Sequence, residues 1–171
     1  GSIILSSEDK ELDFNRIEVE MMTDMLRHRG PDCKGLWTSE DKKITLGHRR
    51  LSIIDLSENG SQPMKSKCGN FIITFNGEIY NYLELKKAVE SEHKNFPWKG
   101  NSDTEVLLEA CSKLGIDRTL DMVEGMFAFA IFDLKKHQFF LARDRLGEKP
   151  LYYSFSRDRF IFSSEIKSFS C

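Results

Sequence analysis

The sequence predicts an α+β fold of antiparallel sheets covered by helices. Three observations carry this expectation. Two segments of helical apolar spacing lie in mid-chain, and hairpin-like strand pairs lie on both sides of them. The strict strand–helix–strand alternation of a doubly wound sheet is missing.

Residues 3–5 form a short apolar run that reads as the end of a strand, and residues 6–13 are polar and read as a loop. From Arg16 to Arg27, Ile17, Met21, Met22, Met25 and Leu26 recur at helical spacing. Asn15 is a candidate cap for that helix, and Gly30 with Pro31 ends it. Short β-like segments follow at residues 35–38, 44–48 and 51–54. Residues 56–64, LSENGSQPM, are loop chemistry. Residues 71–82, FIITFNGEIYNY, are rich in β-branched and aromatic residues. Asn76-Gly77 within them is a hairpin signal, because both residues tolerate the positive φ angles of a type I′ turn. Asn81 with Glu84 forms a variant capping box before a helix over residues 82–89. Residues 91–102 read as a loop. Ser102 with Glu105 opens a second helix, lined by Val106, Leu107, Ala110 and Leu114 and stopped by Gly115. Residues 120–123 add a short turn. Residues 126–144 read as two strands around a Lys-Lys-His turn, with residues 127–132 buried on both faces. Residues 151–154 and 160–163 close the chain as another hairpin.

A chain of 171 residues suits one domain with a real core. Hydrophobic residues make up 40% and charged residues 30%, the balance of a globular rather than a disordered protein. No apolar run is long enough to cross a bilayer, and the opening residues do not resemble a signal peptide. The formal net charge of −2 and the short basic clusters give no electrostatic footprint for nucleic acid. The 4 cysteines form no metal-binding spacing and read as reduced thiols of a cytoplasmic protein. Cys111 belongs to a helix's apolar face. Cys33, close in sequence to His28, is a weak candidate nucleophile.

Four polar groups stand where a purely structural reading gives them little to do. Arg50 lies between strand-like segments, and its guanidinium suits bidentate capture of a carboxylate, although a surface arginine is the plainer reading. Asp103 opens a helix, where a carboxylate stabilises free backbone amides; it is also placed to hold an ammonium group. Glu78 follows Asn76-Gly77 and is a candidate for the same ammonium. An Asn side-chain amide beside a Gly N–H can form an oxyanion hole for a tetrahedral intermediate. Together these groups fit an amino acid with a reactive side-chain amide.

Eight blocks occur in order: RHRGPD (27–32), GHRRLSIIDLS (47–57), QPM (62–64), FNGEIYNY (75–82), SDTEVLL (102–108), VEGMFAFAIFD (123–133), LARDRLGEKPLYY (141–153) and FSSEIKS (162–168). They resemble the class II glutamine amidotransferase domain, in the asparagine synthetase branch, over nearly the whole chain from Arg27 onward. The resemblance implies an N-terminal-nucleophile (Ntn) hydrolase fold, a four-layer αββα sandwich of two antiparallel sheets flanked by helices. It implies one amidotransferase domain over residues 1–171, belonging to a longer enzyme. It also implies attack by an amino-terminal cysteine on the γ-amide of L-glutamine, with the α-amine as base and a glutamyl thioester as intermediate. By resemblance, Arg50 holds the glutamine α-carboxylate and the backbone around Ile53 lines the same pocket. Glu78 and Asp103 hold the α-amine, and Asn76 and Gly77 make the oxyanion hole, so that Asn76-Gly77 serves as both turn and catalytic element. Residues 143–150 are expected to be structural.

The implied partners are L-glutamine and a C-terminal synthetase domain in the same or a partner chain, with a homodimer left open. No cofactor is expected for this domain; ATP and Mg belong to the synthetase part. The family's chain begins Cys-Gly-Ile, whereas this sequence begins Gly1-Ser2-Ile3. The chain as written therefore carries no nucleophile, and no glutamine hydrolysis is expected of it in this form. A non-catalytic domain that senses glutamine or holds a partner is the alternative reading.

Overall fold

The computed structural model describes residues 2–6, 12–51, 60–156 and 159–170. It divides into two compact units. One is built from residues 1–52, 61–63 and 150–171, and the other from residues 53–60 and 64–149.

The first unit holds a five-stranded antiparallel sheet. Its strands are β1 (Ser2–Ser6), β2 (Cys33–Thr38), β3 (Ile44–Arg50), β8 (Tyr152–Ser156) and β9 (Arg159–Ser163), in the order β2-β3-β1-β9-β8. Helix α1 (Leu12–Met25) packs on this sheet through Val19 and Met22, against Leu36, Ile161 and Phe169. The expected helix is present but begins earlier. Asn15 is not its cap; it lies inside the helix, only 1% exposed. The buried face runs through Asn15, Val19, Met22 and Leu26, whereas Ile17 and Met21 are about half exposed. The methionine-rich sequence placed the apolar stripe one residue off, because Val19 and the polar Asn15 share the face that meets the sheet. Gly47 makes this packing possible, since a Cβ there would lie 2.0 Å from Thr23 Oγ1.

The second unit holds a four-stranded antiparallel sheet. It is formed by β4 (Met64–Lys65), β5 (Phe71–Ile79), β6 (Gly125–Asp133) and β7 (Gln138–Arg143), in sequence order. Helices α2 (Tyr82–Glu92), α3 (Asp103–Leu114) and α4 (Ile116–Met122) join β5 to β6. One core contains Ile73, Phe75, Ile79, Phe127, Phe129 and Ile131 from the strands and Leu85, Val106, Leu107, Leu108 and Cys111 from the helices. Burial pushes the Cys111 thiol up to about 12, so it is a packing residue and not a nucleophile. Phe129 is 1% exposed at the centre of this core. Phe129→Ala should cost about 3–5 kcal/mol in urea unfolding, the transfer and cavity cost of a buried ring.

Two expectations need correction. Asn76-Gly77 is not a hairpin turn. Both residues lie inside the nine-residue strand β5, where Asn76 pairs with Ala128 and Gly77 with Phe127. Glycine is needed there for close approach between strands, not for turning the chain. Asn81 stands at the start of α2 but makes no side-chain cap. Its amide instead donates to Met122 O at 2.9 Å, and its Oδ1 accepts from Glu124 N at 2.9 Å, tying the start of α2 to the end of α4. The Ser102 cap is as expected, accepting from Glu105 N at 3.2 Å. Residues 120–123, expected as a short turn, fall at the end of α4. Among the described residues, no helix is long and apolar enough to cross a membrane.

Candidate active site

Strand alternation decides what β5 offers. Ile73, Phe75 and Ile79 point into the helix-covered core, so Thr74, Asn76 and Glu78 point to the opposite face of the sheet. Asn76 Nδ2 is buried and has no hydrogen-bond partner among the described residues. A buried amide donor left unpaired is costly, and native structures keep few of them. Thr74 Oγ1, two residues back on the same face, is also buried and without a partner among the described residues. Thr74 escaped the sequence reading because it sits in an apolar run; its period-2 relation to Asn76 was the available signal.

Next to Asn76, Gly77 is held against β6. A Cβ at Gly77 would lie 2.2 Å from Met126 O and 2.7 Å from Phe127 Cα. The absent side chain leaves the strands in contact and leaves the backbone beside Asn76 uncovered by a side chain of its own. An amide without a described partner and a glycine backbone thus lie side by side on one strand, two donor types that can stabilise an oxyanion.

Strand β5 and helix α3 also bring two carboxylates together. Asp103 is the first residue of α3, and its Oδ2 accepts from Ile79 N at 3.0 Å. This bond fixes the helix start to the end of β5. Burial pushes the Asp103 carboxyl above its ordinary range. The bonds from Ile79 N and Thr104 oppose the shift, and the nearby charge of Glu78 adds to it. Two carboxylates in a partly dehydrated site favour a bound cation. The role of the Ile79 N–H was invisible in sequence, because a backbone donor carries no residue-type signal.

Asn76, Gly77, Glu78 and Asp103 are thus assembled within one unit. Arg50 ends β3 in the other unit, half-buried, with its carbonyl accepting from Asp32 N at 3.2 Å. Ile53 lies outside the described residues. The Cys33–His28 pairing is not formed. The Cys33 side chain is exposed, with Sγ directed to Lys34 O at 3.8 Å, and His28 Nε2 bonds Glu165 Oε1 at 2.8 Å. Residues 143–150, expected to be structural, include two residues that bind neighbouring backbone. Asp144 accepts from the backbone N–H groups of Phe127, Glu148 and Lys149, and Arg143 donates to Lys149 O and Gly147 O.

Comparison with known proteins shows the family and the fold. The profile of the glutamine amidotransferase domain family matches residues 3–171, and the chain belongs to that family. It is 44% identical to an asparagine synthetase (glutamine-hydrolysing) of Bacillus subtilis, covering 88% of this chain and 23% of the relative. It is 40% identical to the amidase chry2 of Gibberella zeae, covering 89% and 22%. The chain spans less than a third of the length of the curated relatives it matches. Among solved structures, it is similar to the glutamine phosphoribosylpyrophosphate amidotransferase of B. subtilis, with a TM-score of 0.75 at 22% identity over 99% of this chain and 42% of that one. An allosteric regulatory enzyme of purine biosynthesis gives a TM-score of 0.80, also at 22% identity, over 99% of this chain and 42% of that one. The fold is therefore the α+β fold of the Ntn-hydrolase amidotransferases.

Proposed function

We propose that this chain is the glutaminase part of a larger asparagine synthetase-like enzyme. In this reading an amino-terminal cysteine attacks the γ-amide carbon of L-glutamine, and the α-amine takes the thiol proton. Asn76 Nδ2 and the Gly77 N–H receive the oxyanion, the tetrahedral intermediate collapses to a thioester as ammonia leaves, and water then releases glutamate. Glu78 and Asp103 hold the substrate ammonium. The family resemblance assigns the substrate carboxylate to Arg50. The ammonia serves a synthetase part that uses ATP and Mg; the glutaminase step itself calls on no cofactor. The buried, unpartnered Asn76 amide beside Gly77 is the observation that carries this reading, because an acceptor supplied by the substrate removes its cost.

The cation site gives the test. The substrate ammonium pairs with ionised Asp103, whose carboxyl is raised in the free protein. Protonation therefore competes with binding, and glutamine affinity should fall as pH drops from neutral through that raised value. Asp103→Asn should weaken glutamine binding about 10- to 100-fold at neutral pH and flatten the acid-side loss. Calorimetry of the intact protein checks both. Wild-type affinity in the variant at every pH would remove Asp103 from the site. Glutamine binding with no ammonia release would favour the glutamine-sensing alternative.

A further inference from the structure

We infer that the cavity lined by Arg29, Tyr152, Glu165 and Lys167 binds a nucleoside monophosphate, with Arg29 and Lys167 on its phosphate and Tyr152 against its base. The inference goes beyond the glutaminase reading. It draws on two sequence blocks to which that reading gives no task, RHRGPD (27–32) and FSSEIKS (162–168).

The cavity has a volume of about 410 Å³, within the range of small-molecule sites. Its lining belongs to a single unit, the one built from residues 1–52, 61–63 and 150–171. The chain brings the two blocks together there through two short 3₁₀ turns, Arg27–Arg29 and Ile166–Ser170.

One wall is charged. Glu165 Oε1 accepts from His28 Nε2 at 2.8 Å and from Arg29 Nη1 at 3.3 Å. Lys167 Nζ lies 3.0 Å from Glu165 Oε2 and 3.5 Å from His28 Nδ1. Burial alone would raise the Glu165 carboxyl, but the bonds from Lys167, His28 and Arg29 outweigh it and hold it down to about 2. Glu165 is therefore ionised at neutral pH. The charge balance still favours an anion, because two permanent cations face one carboxylate. Arg29 spends one N–H on Glu165, and its other donors have no partner among the described residues. Ion pairs this open to water add little stability, so tying the two turns together does not account for them.

The other wall is apolar and open. Tyr152 and Ile166 are 41% and 62% exposed, and Pro150 lies beside them. A phosphate ion would leave this wall unused, and a neutral apolar ligand would leave the cations unpaired. A nucleoside monophosphate uses both. Its phosphate suits the arginine fork and the lysine ammonium. Its base suits the face of Tyr152. Glu165 Oε2, which meets only Lys167 among the described residues, keeps a lone pair for a ribose hydroxyl.

The test follows acetylation of Lys167 by sulfosuccinimidyl acetate, read by mass spectrometry of the peptide that carries it. The protein is held in millimolar AMP, UMP, adenosine or inorganic phosphate. The readout is local, so a nucleotide site elsewhere in a larger enzyme does not enter it. AMP or UMP should slow the acetylation about fivefold or more, and adenosine and phosphate less than about twofold. Calorimetry should show the nucleotide bound about tenfold more weakly by Arg29→Gln and about fivefold more weakly by Tyr152→Ala. Melting curves establish that the variants are folded, and Tyr152→Ala, which keeps every charge, decides the matter if Arg29→Gln does not fold. Equal protection by phosphate and by the nucleotides would reduce the cavity to an anion patch and overturn the inference. No protection by either nucleotide, or binding that the folded variants leave unchanged, would overturn it as well.

Discussion

In the protein carrying a cysteine at its amino terminus, replacing Asn76 by Ala should lower kcat for glutamine hydrolysis about 10²–10³-fold and leave KM within about threefold. The substrate carbonyl carries little charge in the ground state and nearly a full charge in the tetrahedral intermediate. A donor aimed at that oxygen therefore acts mainly on the transition state, and its loss appears in kcat. The same substitution should leave stability almost unchanged. Asn76 Nδ2 has no hydrogen-bond partner among the described residues to lose, and removing an unpaired buried donor can be neutral or slightly stabilising. Steady-state ammonia release together with a thermal melt checks both halves. A kcat within threefold of wild type would take Asn76 out of the oxyanion hole. A large drop in Tm would show that its amide has a structural partner.

Gly77→Ala should do the reverse and act first on the stability of the fold. The new Cβ would lie 2.2 Å from Met126 O and 2.7 Å from Phe127 Cα. These are backbone atoms of the paired strand, so no rotamer change relieves the overlap. The strands must separate where the register runs unbroken from Phe71↔Asp133 to Ile79↔Gly125. A cost of about 3 kcal/mol or more follows, or roughly 6–12 °C in Tm for a chain of this size. A Cβ at Gly125 would likewise lie 2.2 Å from Glu78 O, so a second substitution there should not rescue the first. A Gly77→Ala protein with wild-type Tm would mean that β5 and β6 are more loosely paired than described.

The antiparallel α+β character was legible because β6 and β7 keep the apolar runs and the Lys-Lys-His turn that strands and hairpins need. Helix α3 was legible for the same kind of reason, with Ser102 capping it and Gly115 ending it. The Asn-Gly pair misled because residue type reports the conformations a residue tolerates and not the one it uses. A close strand contact and a type I′ turn both call for glycine, and only the partner strand separates them. Asn81 misled similarly: a side chain that can cap a helix can equally bridge to Met122 and Glu124. The four residues of the β5–α3 site were readable as chemistry and from family resemblance. Their assembly was not, since it depends on the Asp103–Ile79 N–H bond. His48 read as an ordinary strand residue; that its buried Nδ1 has no partner among the described residues is a property of packing that no spacing reports.

Most catalytic groups ride on loops, which can open while the rest of a protein stays folded. Asn76 and Gly77 are instead set in the middle of a strand whose two neighbours along the chain are paired to β6 as well. Their exposure to local opening is that of the sheet itself. Heat inactivation of the proposed oxyanion hole and melting of this sheet should therefore be a single event, with no window of temperature or denaturant in which the protein is folded but these two residues have come apart.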